Sequence, residues 1–156
     1  MNLKSNLVFE KTLSAETELA KLVQLINLRL EKDSILLLSG ELGAGKTTTT
    51  RHLCEFFGFS FSQSPTYAIH QHHENSRITI DHFDLYRIQG DEDLESTGFW
   101  DLLRESKGLI VIEWHERLRD RNWLQVEIKK RKVFGLKIEV HEDLRKFKFF
   151  ELMNSF

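Results

Sequence analysis

The stretch Gly40-Glu41-Leu42-Gly43-Ala44-Gly45-Lys46-Thr47 satisfies the pattern G-x-x-x-x-G-K-[ST] in full, and it narrows the fold more than any other feature of the chain. Glycines let the backbone take positive φ and bring its N–H groups close to phosphate oxygens. A helix starting at such a loop adds its dipole and its free N–H donors. Lys46 can then reach the outer phosphates, and the Thr47 hydroxyl can ligate Mg²⁺, with Thr48 beside it. The surroundings agree. Ile35-Leu36-Leu37-Leu38 is an apolar run of strand length before the loop, and Lys46 to Phe57 reads as a helix ended by Gly58.

The rest of the chain repeats this alternation. Leu7 to Thr12 reads as a short strand, and Ser14 as the N-cap of a helix whose apolar stripe is Leu19, Leu22, Val23, Ile26 and Leu30. Tyr67 to His73 and Arg77 to Phe83 read as strands joined by Glu74-Asn75-Ser76. Asp91 to Leu103 reads as a helix broken by Gly98, and Leu109 to Ile112 as a second fully apolar strand ending at Glu113. Leu124, Val126 and Ile128 alternate, as do Phe134, Leu136, Ile138 and Val140, so both segments are expected as antiparallel edge strands. Glu142 to Met153 is expected as a closing helix with Leu144 and Phe147 inward. The expected fold is a single α/β domain over residues 1–156, a P-loop three-layer sandwich with a mainly parallel sheet and antiparallel edge strands.

Composition bounds the function. With 156 residues, 40% of them hydrophobic, the chain is long enough to bury a core. A net charge of −2 gives no global basic field for nucleic acid. The lone Cys54 forms no internal disulfide and is expected as a small buried apolar group. With no long apolar run and no apolar leader in the first residues, a cytoplasmic location is expected.

A P-loop needs a second acidic group for its metal, usually at the end of a neighbouring apolar strand. Glu113 is the natural candidate, and Asp84 competes for that task or for orienting the attacking water. Lys46, Asp84 and Glu113 are therefore the candidate catalytic residues, and ATP with Mg²⁺ the expected cofactors. His70 and His72 fall on one face of a strand, so two imidazoles can approach one ion. With no cysteine beside them on an exposed hairpin, solvated histidines are expected there instead.

Four blocks carry a resemblance: Gly40 to Thr47, Ser64-Pro65-Thr66-Tyr67, His82-Phe83-Asp84-Leu85-Tyr86-Arg87 and Ile112-Glu113-Trp114. In order and spacing they resemble the bacterial TsaE family, formerly YjeE, the ATPases needed for threonylcarbamoyladenosine modification of tRNA. The resemblance implies phosphate binding by Gly40 to Thr47 and Mg²⁺ ligation by Thr47 and Glu113. It places Asp84 in an acidic motif essential for hydrolysis, Ser64 to Thr66 in a switch-like loop near the γ-phosphate, and Trp114 beside the nucleotide. It also implies partners, the TsaD and TsaB proteins that modify adenosine 37, with tRNA contacted within that complex. His115 departs from the proline that often follows I-E-W, and the adenine contacts stay unassigned. The basic run Lys129 to Lys132 is expected at a solvated hairpin turn rather than on tRNA.

Three other functions compete. A small-molecule P-loop kinase needs an arginine-bearing lid, but the 91–103 segment offers only Arg104 just past its end. A GTP switch needs an N-K-x-D segment, which is absent. A binding module would hold the nucleotide only as a structural ligand.

Overall fold

The computed structural model describes residues 3–60 and 69–155. Seven strands form one sheet in the order β1-β7-β6-β2-β5-β4-β3. They are β1 (Leu3–Leu13), β2 (Ile35–Ser39), β3 (His70–Glu74), β4 (Thr79–Asp84), β5 (Leu109–Glu113), β6 (Val133–His141) and β7 (Leu144–Asn154). The helices are α1 (Leu19–Asn27), α2 (Lys46–Phe56), α3 (Asp91–Ser96), α4 (Phe99–Glu105) and α5 (Asn122–Ile128). The centre, β6-β2-β5-β4, is parallel, while β3, β7 and β1 add antiparallel margins. The expected sandwich with antiparallel edges is therefore present.

Both faces of the central strands are covered, which is why β2 and β5 are apolar without alternation. Leu36, Leu38 and Val111 point to a core built with Leu22, Val23 and Ile26 of α1 and Leu53 and Cys54 of α2. Ile35, Leu37, Ile110 and Ile112 point the other way, onto Leu94 of α3, Phe99 and Leu103 of α4, and Trp123 and Leu124 of α5. Cys54 is fully buried and burial pushes its thiol up to about 12, so it packs as an apolar group, as expected. Gly98, at φ 70°, breaks the 91–103 helix as expected, separating α3 from α4. Among the described residues no helix is long and apolar enough to cross a membrane.

Several local expectations are corrected. The opening strand runs from Leu3 to Leu13 because β7 pairs with it along that whole length. Ser14 does not cap the helix. Instead the Glu18 carboxylate reaches back and accepts from the backbone N–H of Ser14 (2.8 Å) and Ala15 (2.9 Å), bonds that lower its pKa. The 124–128 segment is helical: Trp123, Leu124 and Glu127 turn inward at helical spacing while Val126 is exposed. β6 lies inside the sheet, between β2 and β7, rather than at its edge. The closing segment is a strand, since Phe147 and Phe149 alternate inward with β6 and β1 pairing on either side. The 129–132 run links α5 to β6 and is no hairpin turn. Within it, Arg131 is tied inward, its Nε 3.2 Å from buried Glu127 and its guanidinium donating to the Leu103 and Ser106 carbonyls at 3.3 Å.

Candidate functional site

The loop from Gly40 to Gly45 leaves the carboxyl end of β2 and enters α2 at Lys46. Gly40, Gly43 and Gly45 take φ values of 153°, 79° and 109°, conformations that side chains disfavour. Gly40 has a second reason to lack a side chain, since a Cβ there would lie 2.7 Å from the backbone oxygen of Ile138. Glu41 and Leu42 are exposed, whereas Ala44 turns its methyl into the core and offers only its backbone to the loop.

Three strand ends converge on this loop, the usual place for a ligand in an open α/β sheet. In register, Leu38 of β2 and Asp84 of β4 flank Glu113 of β5. Glu113 is buried, and its carboxylate is held from three directions. Thr47 Oγ1 donates to Oε2 at 3.0 Å, Thr50 Oγ1 donates to Oε1 at 3.2 Å, and His82 Nε2 lies 2.8 Å from Oε1. Asp84 Oδ1 accepts from the Tyr86 N–H at 3.1 Å. Burial, reinforced by the nearby Glu113, raises the Asp84 pKa above its ordinary value.

Lys46 is buried, and its ammonium donates to the carbonyls of Gly40 (2.7 Å) and Glu41 (3.0 Å). It also lies 4.3 Å from the centroid of the Trp114 ring, a cation–π contact. Burial lowers the Lys46 pKa, and the surrounding carboxylates, Glu113 foremost, pull the other way. Trp114 takes φ 59°, turning the chain sharply after β5 so that its ring lies over the loop. Tyr86 packs on that ring at 5.0 Å, and the Arg117 guanidinium lies 5.6 Å and 5.8 Å from the Tyr86 and Trp114 centroids.

Leu42, Gly43, Gly45, Lys46, Thr47, Thr48, Asp84, Tyr86, Glu113 and Trp114 line one cavity of about 220 Å³. A second cavity of about 280 Å³ shares Gly43, Gly45 and Thr48 with it and continues over Leu13, Ala15, Leu19 and Phe147. So the structure brings the loop, Asp84, Glu113 and Trp114 together, while Ser64 and Thr66 lie outside the described residues. Arg87 is exposed, and Arg104 pairs with Asp101 on an exposed face of α4. The sequence reading missed Thr50 and Arg117 and gave His82 no bond. Thr50 was findable, since four residues after Lys46 it falls on the same helix face.

The chemistry of the donor set suits Mg²⁺ with a nucleotide phosphate. A hydroxyl and a carboxylate are hard oxygen donors already 3.0 Å apart, and two carbonyls hold Lys46 where a phosphate would compete for it.

Comparison with known proteins bears on the same region. Residues 13–143 match the family model described as threonylcarbamoyl adenosine biosynthesis protein TsaE. The chain is 40% identical over 110 residues to a curated tRNA threonylcarbamoyladenosine biosynthesis protein TsaE of Rickettsia conorii, covering 69% of this chain and 62% of that one. It is 38% identical over 94 residues to the protein of that name in Haemophilus influenzae, covering 60% of this chain and 59% of the relative. The matched stretch thus spans less than two thirds of these relatives. In fold it is similar to the crystal structure of Bacillus subtilis YdiB, with TM-score 0.63 and 20% identity over 97% of this chain and 88% of that one.

Proposed function

Because the chain belongs to the TsaE family of threonylcarbamoyl adenosine biosynthesis proteins, we propose that it binds and hydrolyses ATP with Mg²⁺ in the cytoplasmic machinery that makes N6-threonylcarbamoyladenosine at position 37 of tRNA. In this reading it acts with the TsaD–TsaB complex, and its turnover is low until those partners engage it. The observation that carries the proposal is the Thr47–Glu113 contact at 3.0 Å, a hydroxyl and a carboxylate at the mouth of a complete phosphate loop.

The geometry supports the following roles. Backbone N–H groups of Gly43 to Thr48 and the start of α2 hold the phosphates in the smaller cavity. The nucleoside lies in the larger one, against Leu13, Ala15, Leu19 and Phe147, because Gly43, Gly45 and Thr48 border both. Lys46 leaves the Gly40 and Glu41 carbonyls for the β- and γ-phosphates. Thr47 and Glu113 would hold Mg²⁺, which would supply charge neutralisation at the terminal phosphate. To ligate it, Thr47 would turn its proton away from Glu113 and offer its oxygen. Asp84, with its pKa raised, orients the attacking water and accepts its proton. Tyr86 and Arg117, packed against Trp114, form the exposed rim that a partner can reach.

The small-molecule kinase alternative is not favoured, because the related proteins carry names from tRNA modification. The deciding experiment is ATP hydrolysis by the purified chain, alone and with TsaD, TsaB and substrate tRNA, against a Lys46→Ala control. Partner-stimulated turnover that disappears in the variant is expected. Turnover indifferent to the partners would remove the pathway assignment and leave the nucleotide site.

A further inference from the structure

We propose that His70, His72 and Asp81 form a second metal site, for a divalent ion of the zinc class, on the face of β4 away from the phosphate loop. Side chains alternate along β4, so His82 and Asp84 face the loop while Asp81 and Phe83 face the opposite way. The β3–β4 register sets His72 directly across from Asp81 and His70 across from Phe83. One ligand atom from each of His70, His72 and Asp81 falls within 4.8 Å of the others. His70 Nε2 and His72 Nδ1 each lie 2.8 Å from the same oxygen, Asp81 Oδ1.

The three groups are held as a metal site requires. Asp81 is buried, and Ser106 Oγ donates to its second oxygen at 3.1 Å, leaving Oδ1 aimed at the imidazoles. The His70 ring stacks on Phe83, with centroids 4.5 Å apart, so its direction is fixed by packing. Opposite the ring nitrogen that faces Asp81, His72 Nε2 faces Glu74 Oε2 at 3.7 Å, an outer carboxylate of the kind that orients ligating histidines. The His72 side chain is 48% exposed, so one side of the cluster is open for a water as fourth ligand.

The donor set selects the ion. Two imidazoles and one carboxylate suit Zn²⁺ and its neighbours, whereas Mg²⁺ prefers oxygen alone. Ligands at about 2.0–2.2 Å from zinc in a tetrahedron stand roughly 3.3–3.6 Å from one another, so the cluster opens by about half an ångström or slightly more, each imidazole turning an unprotonated nitrogen to the ion. Bound there, the ion ties β3, which among the described residues pairs only with β4, to the strand that carries His82 and Asp84.

The test uses the full chain after dialysis against chelator, without nucleotide, Mg²⁺ or partners. Calorimetric titration with Zn²⁺ is expected to show one ion per chain, and Co²⁺ to produce visible d–d absorption. Zn²⁺ should raise Tm with the logarithm of its excess over Kd. His72→Ala, at a half-exposed position where the fold tolerates change, should abolish the Co²⁺ bands while the circular-dichroism spectrum of the folded chain persists. His70→Ala should do the same, and Glu74→Gln should weaken Zn²⁺ binding about tenfold. No zinc uptake, uptake unchanged in His72→Ala and His70→Ala, or uptake lost only in Glu113→Gln would overturn the proposal. Because neither ATP nor partners enter the assay, its failure is separable from failure of the ATPase reading.

Discussion

Thr47 Oγ1 donates to Glu113 Oε2 at 3.0 Å, joining the first turn of α2 to the last residue of β5. The same carboxylate is fixed by Thr50 and faces His82, so it is held in place before any ion arrives. Such preorganisation is what charge stabilisation in a water-poor site requires. Glu113→Gln keeps the shape and removes the charge. Mg²⁺-dependent ATP hydrolysis is expected to fall by roughly 10²–10³-fold, while nucleotide binding measured in EDTA changes little. An unaltered Mg²⁺ dependence of turnover would show that Glu113 is no part of the metal site.

The role proposed for Asp84 carries a stability cost. Its folded pKa is raised above the ordinary 3.8, by burial first and by Glu113 second. Between those two values the folded state keeps a proton that the unfolded state has lost, so stability falls as pH rises through that window and stays lowered above it. Asn does not titrate and can still accept from the Tyr86 N–H through Oδ1. Asp84→Asn is therefore expected to have a higher Tm than the parent at pH 7.5 and little advantage near pH 4. ATP hydrolysis should drop by roughly 10²–10⁴-fold. Equal Tm differences at both pH values would mean that ionisation of Asp84 does not set the effect.

The first loop glycine is tested by contrast with the second. Gly40 combines φ 153° with a Cβ position only 2.7 Å from the Ile138 backbone oxygen, whereas Gly43, at φ 79°, has open space around it. A backbone oxygen within β6, which is paired with β7 at this position, cannot swing aside as a side-chain tip can. Gly40→Ala is expected to destabilise by about 1–3 kcal/mol from the clash alone, beyond the backbone strain it shares with Gly43→Ala. Urea denaturation of the two variants measures the difference. Equal midpoints would show that β6 yields to the methyl group at no cost.

The contrast between correct and corrected elements has a physical origin. β2 and β5 are legible because a strand covered on both faces has to be apolar throughout, and the Gly98 break is legible because few residues tolerate φ 70°. The α5 segment is seven residues long, too short for its period to be read securely, and apolar Val126 lies exposed where an alternating strand would bury it. For β7 the signal was present in Lys146-Phe147-Lys148-Phe149, whose alternation matches a strand, but its state is decided by β6 and β1, which pair with it from distant positions. At the site, the loop and Glu113 carry local patterns. The contacts of Thr50 and His82 with Glu113 join three different elements; helix spacing puts Thr50 on the face of Lys46, but no local pattern records that either residue meets Glu113. His70, His72 and Asp81 are the same case: the two histidines show their shared face in sequence, but the buried carboxylate beneath them appears only once β3 and β4 are paired.

Placing the nucleoside beside the loop leads to a prediction that separates binding from chemistry. Ala15 is exposed at the margin of the larger cavity, opposite the glycines that border both cavities. A tryptophan there fills space that the base needs and touches none of Lys46, Thr47, Asp84 or Glu113. Because the position is solvent-facing, the fold should tolerate the change within about 0.5 kcal/mol. Ala15→Trp is therefore expected to raise the KM for ATP strongly and to leave kcat close to the parent value at saturating nucleotide, the pattern of lost uniform binding. Inorganic triphosphate, which has no base to lose, should bind parent and variant alike. A variant that binds ATP as tightly as the parent would exclude the cavity over Leu13, Leu19 and Phe147 as the nucleoside site, leaving the phosphate end at Gly43 to Thr48 untouched.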